Sequence, residues 1–203
     1  MNIREIAGIL VLVFFCLQGI VMVFSKGSIR LQKPKGGLIP WFYNILNLSI
    51  ILILTPVVGF ILLGKLDNLS CLLPIQISNT VLIFLLLLIG ISLFVIGNLI
   101  MFWGRIVLWG SFRLGGVMPR DDDQLVISGP FKLMRHPTYL AVILNAAGLV
   151  LFSQSMIIAV LSVLLVYLIV KLIPIEEAQM MQFYKERYIE YQRNVKKLIP
   201  FIY

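Results

Sequence analysis

Ser128–Tyr139, SGPFKLMRHPTY, leads into an apolar run that turns back and ends on Glu176-Glu177, and the fold is read from this stretch. Gly129-Pro130 marks a turn, and Pro137 suits the first turn of a helix, so a helix is expected to start near Thr138. The apolar runs Tyr139–Phe152 and Ile157–Val170 are separated only by Ser153–Ser155. The second reaches Ile173 if Lys171 snorkels its ammonium to an interface. Two apolar helices joined this tightly form a hairpin, which returns its two outer ends to one depth. Arg135-His136-Pro137 and Glu176-Glu177 are therefore expected to meet. Their length leaves open whether both helices cross a bilayer.

Outward from the hairpin, the chain is 203 residues long, 60% hydrophobic and 13% charged, with a mean hydropathy of +1.01. A water-soluble fold cannot cover that much apolar surface. Three further uncharged runs, Ile6–Phe24, Trp41–Gly64 and Val81–Trp103, approach or exceed the about 20 residues that cross a bilayer. The expectation is an all-α integral membrane protein of about five transmembrane helices forming a single membrane domain. Residues 1–103 hold three N-terminal helices, and 104–203 hold the half where polar residues concentrate. The first run is too long and too weakly charged ahead of it for a cleaved signal peptide, so it is expected to stay as a helix. Cys16 in a helix, Cys71 in a loop and a single histidine point away from a disulfide framework or a multi-histidine metal site.

Fifteen of the 17 basic residues fall on one side of a five-helix arrangement: Lys26, Arg30, Lys33 and Lys35, then Arg105 to Arg135, then Lys171 to Lys197. Only Arg4 and Lys65 lie opposite. The positive-inside rule puts the N-terminus outside and the C-terminus in the cytosol, in a cytoplasmic or inner membrane, or the endoplasmic reticulum of a eukaryote. A net charge of +8 then fits anionic lipid headgroups and needs no nucleic acid.

The cytosolic face has two parts. The link 104–137 carries Gly110, Gly115, Gly116, Pro119 and Pro130, with Asp121-Asp122-Asp123 and then Leu125-Val126-Ile127 between the prolines. The second, Glu176–Tyr203, reads as an amphipathic helix outside the bilayer, with Phe183, Tyr184, Tyr188 and Tyr191 at helical spacing. The helix start at Thr138, with Arg135 and His136 beside it, offers hydrogen-bond donors, and Glu176-Glu177 offers the opposite charge. Donors facing carboxylates suit a zwitterion, such as an amino acid headgroup, and Leu125, Val126 and Phe131 supply an apolar wall. Singly, each feature has an ordinary alternative. Arg-His-Pro is a common interfacial anchor, Glu176-Glu177 with Lys185 and Arg187 makes a solvated helix face, and the aromatic series makes an interfacial belt. Asn44, Asn47, Asn98 and Asn145 read as interhelical hydrogen bonds, and Gly90 and Gly97 permit a dimer without requiring one.

Taken jointly, Leu125-Val126-x-Ser128-Gly129-Pro130-Phe131, Arg135-His136-Pro137-x-Tyr139 and Pro174-x-Glu176-Glu177 resemble the isoprenylcysteine carboxyl methyltransferase and phospholipid methyltransferase superfamily. A tail of Phe183, Tyr188, Tyr191, Val195 and Ile199-Pro200-Phe201 extends the likeness, which covers roughly residues 104–203. The resemblance implies S-adenosylmethionine bound at the cytosolic face and a lipid-like or prenylated substrate entering from the bilayer. By position it implies cofactor contacts from Asp123, Gln124, Leu125, Val126, Phe131, His136, Pro137, Thr138, Tyr139 and Glu176. Arg135 is expected to position, and Glu177 or Tyr139 to take a proton if the acceptor is an amine; a carboxylate acceptor needs no base. The family often has Gly where Ala141 stands and Phe-Gly where Tyr184-Lys185 stands. Its carboxyl methyltransferases carry an Arg where Leu172 stands, which leaves Lys171 as the candidate for the substrate carboxylate. The alternatives are an NADPH-dependent membrane reductase of the sterol type, which shares an Arg-His-Pro-x-Tyr region, and a non-enzymatic helical membrane protein.

Overall fold

The computed structural model describes residues 2–24, 37–66, 73, 75–111, 115, 117–121 and 123–199. Lys26, Arg30, Lys33, Lys35, Cys71, Gly116, Asp122, Pro200, Phe201 and Tyr203, all named above, lie outside these residues. The described chain is helical: α1 Ile3–Phe24, α2 Leu38–Leu62, α3 Thr80–Leu108, α4 Pro137–Ser153, α5 Met156–Tyr184 and α6 Glu186–Asn194. Among the described residues the sole bridge of sheet type joins Met134 to Lys196. The first three helices and α5 are long and apolar enough to cross a membrane, and α4 is shorter. The protein is an all-α, multi-pass membrane protein.

The hairpin is present, its corner made by Gln154 in the left-handed region (φ 48°) and by Ser155, whose hydroxyl caps α5. Its second arm differs from expectation. Helix α5 does not end at Ile173 but runs through Lys171, Pro174 and both glutamates to Tyr184, 29 residues in all. Met156 and Glu176 are about 30 Å apart along the axis, which matches the hydrocarbon thickness. The glutamates therefore lie where α5 leaves the apolar layer, and Glu176–Tyr184 belongs to α5 rather than to a separate surface helix. The break comes at Lys185 (φ 52°, ψ −128°), a backbone conformation natural only to glycine. That explains why this position, Gly in the resembled family, matters: the chain must reverse there to lay α6 back over the site.

Helices α3 and α4 pack through small residues. Gly90 and Gly97 on α3 meet Gly148, Ala141 and Asn145 on α4. A Cβ at Gly97 would lie 3.0 Å from the Ala141 carbonyl oxygen and 2.5 Å from Asn145 Oδ1. Such close approach is how helices associate where no hydrophobic force operates between them. These glycines are therefore consumed within the chain and do not form a stripe for a second copy. Two of the four intramembrane asparagines make the expected interhelical bonds: Gln18 Nε2 donates to Asn98 Oδ1, and Asn98 Nδ2 donates to Asn145 Oδ1 (3.0 Å), tying α1, α3 and α4, whereas Asn44 donates to the Gly115 carbonyl of the link.

Helix α2 has a π-helical middle, Ile50–Leu54. Pro56 supplies no N–H to the preceding turn, and the Ile50 carbonyl accepts from both the Thr55 backbone N–H and the Thr55 hydroxyl (2.9 Å). Its Thr55–Leu62 end packs on α1, where Gly8 and Gly59 approach closely, whereas its Leu38–Ser49 end packs on α5. Helix α1 also packs on α3. The far ends of α1 and α2 thereby line opposite sides of a cleft.

Candidate active site

The cleft and the link before α4 enclose a cavity of about 310 Å3, within the range of small-molecule sites. One end is polar. Asp123, Gln124, Leu125 and Val126 line it from the link, Phe131 from the 3-10 turn Gly129–Lys132, and His136, Thr138 and Tyr139 from the start of α4. Glu176, Met180 and Tyr184 line it from α5, and Tyr188 and Tyr191 from α6. The other end is mainly apolar: Phe15, Cys16 and Gly19 of α1 face Leu48, Ile51 and Leu52 of α2, with Met101 of α3 and Val142 of α4, and Gln18 and Asn47 are its polar exceptions. Cys16, Gly19 and Leu52 are also exposed on the outer surface, so this end opens sideways.

The two glutamates, adjacent in sequence, point about 100° apart on the helix and do different things. The Tyr139 hydroxyl donates to Glu176 Oε1 at 2.6 Å, which leaves Glu176 in the cavity wall. Glu177 is buried behind it. Its Oε1 accepts from Arg135 Nε (2.8 Å) and lies 2.7 Å from Arg135 Nη2, and Lys197 Nζ stands 3.9 Å from its other oxygen. His136 sits between them, Nε2 3.3 Å from Glu177 Oε1 and Nδ1 3.9 Å from Glu176 Oε2, its ring stacked on Tyr139. Arg135 Nη1 also donates to the carbonyls of Gln192 and Val195. The backbone N–H groups of Arg135 and His136 donate to Lys196 and Lys197 carbonyls (2.8 and 2.9 Å). This arginine thus joins α4, α5 and the segment after α6 in one buried knot.

Above it, the Tyr191 hydroxyl donates to the Phe131 carbonyl at 2.6 Å, and Tyr188 and Tyr191 pack edge to face. Burial pushes both phenols well above their ordinary range, with the Glu177 carboxylate adding to the effect at Tyr188. They stay neutral and act as an aromatic roof.

Of the residues named for a cofactor, Asp123, Gln124, Leu125, Val126, Phe131, His136, Thr138, Tyr139 and Glu176 all line the cavity, whereas Pro137 is buried beside it as the first residue of α4. Of the three named for chemistry, Arg135 and Tyr139 line it and Glu177 does not. Lys171 is not brought to the site. It is exposed on the outside of α5, its ammonium 5.7 Å from the centre of the Tyr167 ring. Leu172, one step on, is fully buried against the core.

Other lining residues had no sequence expectation as site residues. Tyr184, Tyr188 and Tyr191 read as interfacial anchors at helical spacing; the break at Lys185 instead puts Tyr184 on α5 and the other two on α6, and all three line the cavity. Tyr43, Asn44 and Arg105 carry no signal of a site in the sequence. The Tyr43 ring packs edge-on against Tyr139 at 5.5 Å, and Asn44 Nδ2 donates to the Gly115 carbonyl at 3.0 Å.

Residues 85–187, half of the chain and nearly all of the polar end, match the family model of the phospholipid methyltransferases. The chain belongs to the phospholipid methyltransferase family. Among individual proteins it is similar to protein-S-isoprenylcysteine O-methyltransferase B of Arabidopsis thaliana, 26% identical over 115 residues, 56% of this chain and 58% of the relative. It is also similar to a probable protein-S-isoprenylcysteine O-methyltransferase of Oryza sativa subsp. indica, 30% identical over 120 residues, 56% of this chain and 61% of the relative. The chain thus spans about three-fifths of the length of the curated relatives it matches. A methyltransferase family implies a methyl donor.

Proposed function

We propose that this protein is an integral membrane methyltransferase that uses S-adenosylmethionine to methylate a carboxylate or amine on a lipid-like or prenylated acceptor. The observation that carries the reading is one continuous cavity with a polar, aromatic end and an apolar end open between α1 and α2.

The polar end fits the cofactor. Its Asp123 and Glu176 carboxylates suit the ribose hydroxyls and the cationic ammonium and sulfonium groups. Phe131, Leu125 and Val126, with the tyrosine roof, suit an adenine ring. When bound, S-adenosylmethionine supplies a methyl group activated by its sulfonium. The chain's own residues hold and shield. Tyr139 fixes the Glu176 carboxylate through its hydroxyl, His136 stacks on Tyr139 and keeps the two carboxylates apart, and α6 roofs the site against water. Positioning and exclusion of water are what methyl transfer needs most. Arg135 and Glu177 serve as the support of this geometry. Tyr139 is the one cavity-lining candidate of the two considered for taking a proton from an amine acceptor, which it could do only by passing its own hydroxyl proton to the Glu176 carboxylate. The relatives' names support a prenylated cysteine as acceptor, and the family description supports a phospholipid. The polar end is read as facing the cytosol and the N-terminus as outside on the basic-residue pattern of the sequence, and the methyltransferase half as residues 104–203 on the motifs that carry the resemblance.

Incubating the purified full chain with methyl-labelled S-adenosylmethionine and either N-acetyl-S-farnesylcysteine or phosphatidylethanolamine tests the proposal. Label extracted with the acceptor supports it. Base-labile label identifies an ester and base-stable label an N-methyl group. No transfer to these or to total membrane lipid, by protein that is folded, would sink it.

A further inference from the structure

Asn44 lines the cavity from α2, and the fold uses only one half of its carboxamide. Its Nδ2 donates to the Gly115 carbonyl at 3.0 Å. The residue is 7% exposed, and its Oδ1 is buried with no hydrogen-bond partner among the described residues. The carboxamide cannot be turned the other way, because the Gly115 carbonyl accepts only from the nitrogen. A buried carbonyl oxygen without a donor is costly to keep, and the wall of a cavity is where a ligand can bring one.

The position of Asn44 follows from packing. A Cβ at Gly115 would lie 2.8 Å from the Tyr139 hydroxyl and 2.9 Å from Tyr43 Cε1, so the residue that Asn44 holds is wedged between those two rings. Tyr139 in turn donates to Glu176 at the polar end. In the other direction α2 continues through Asn47 and Leu48, one turn on, to Ile51 and Leu52 beside the sideways opening. Asn44 therefore stands where the polar end gives way to the apolar cleft. Its oxygen lies at the level where the head of an amphiphile would meet its tail.

We propose that Asn44 is a specificity residue of the acceptor site, its Oδ1 accepting an N–H from an amphiphile whose hydrocarbon chain lies between α1 and α2. The N–H is the amide of a lipid-modified amino acid or the ammonium of an aminolipid head. This assignment rests on the methyl-transfer reading and narrows the class of acceptor. A carbonyl oxygen accepts from either group and gains no hydrogen bond from an ester oxygen or a quaternary nitrogen, which carry no donor. Because Nδ2 stays on Gly115, one side chain both fastens the link to α2 and reads the acceptor.

The test uses two pairs of probes, each titrated calorimetrically into the detergent-purified full chain saturated with S-adenosylhomocysteine. The first pair is N-acetyl-S-farnesylcysteine and its analogue with acetoxy in place of acetamido. The second is dihexanoyl phosphatidylethanolamine and the corresponding phosphatidylcholine. Wild-type protein should bind the N–H member of one pair roughly tenfold more tightly, as when a buried acceptor loses its donor. Asn44→Leu should erase that preference and keep S-adenosylhomocysteine affinity. Preference within the first pair points to a lipid-modified amino acid, and preference within the second to an aminolipid. Equal binding within both pairs by the wild type overturns the proposal, whether or not the variant folds. So does a preference that survives Asn44→Leu, or one lost together with nucleotide affinity. If wild-type protein does not bind S-adenosylhomocysteine, the methyl-transfer reading fails instead, and the probe pairs on the unloaded protein decide Asn44 separately.

Discussion

The polar end of the cavity is assembled from short stretches whose residue types announce themselves, whereas the apolar end is assembled from helices that carry no such mark. At the polar end a Pro-started helix, a proline-bounded link and an adjacent carboxylate pair are brought to one level by a two-residue hairpin corner. At the apolar end the lining comes from α1 and the π-bulged α2, whose residues differ little in type from those facing lipid. In the function proposed, the first end takes a cofactor with defined charges. The second needs only a slot of the right width and an opening, which many apolar sequences supply. Specificity for an acceptor is therefore expected to reside in the few polar residues at the junction.

The largest effect that would break this contrast lies in the buried knot. Arg135→Met leaves Glu177 buried without its guanidinium and should destabilise the protein by about 3–5 kcal/mol, read as a lower unfolding temperature in detergent. Unchanged stability would mean that Arg135 is free for substrate and the support role is wrong. Glu176→Gln, which keeps shape and removes charge from the cavity wall, should weaken S-adenosylhomocysteine binding by roughly tenfold or more with little change in stability. At the other end, Gly19→Trp adds bulk where a Cβ meets nothing within 4 Å. It should raise the KM for a prenylated acceptor severalfold while leaving nucleotide affinity alone; a change in nucleotide affinity would show that the two ends are not separate. The smallest effect is at the reversal before α6. Lys185→Gly relieves a positive φ and should stabilise by about 1 kcal/mol, seen as a modest rise in unfolding temperature.

Much of this was legible beforehand, for physical reasons. Long uncharged runs must be spanning helices because lipid offers the backbone no partner, and a tight corner between two of them forces Arg135-His136-Pro137 and Glu176-Glu177 together. What the pattern did not disclose was direction around a helix. Glu176 and Glu177 look interchangeable in sequence, yet one lines the cavity and the other is buried in the ion-pair knot. Lys171 and Leu172 show the same limit, since one residue turns a side chain from core to lipid. The tyrosines of α6 read as surface anchors because nothing before Lys185 announced a reversal, lysine being an unexpected residue at that backbone conformation. Arg105 read as one of several boundary charges, yet it is buried and lines the cavity.

The most direct measurement is calorimetric titration of the detergent-purified full chain with S-adenosylhomocysteine, with NADPH as control. Micromolar, one-to-one binding of S-adenosylhomocysteine and none of NADPH is the result predicted for a methyl-donor site at the polar end. Binding of NADPH alone, or of neither by protein shown to be folded, would contradict it.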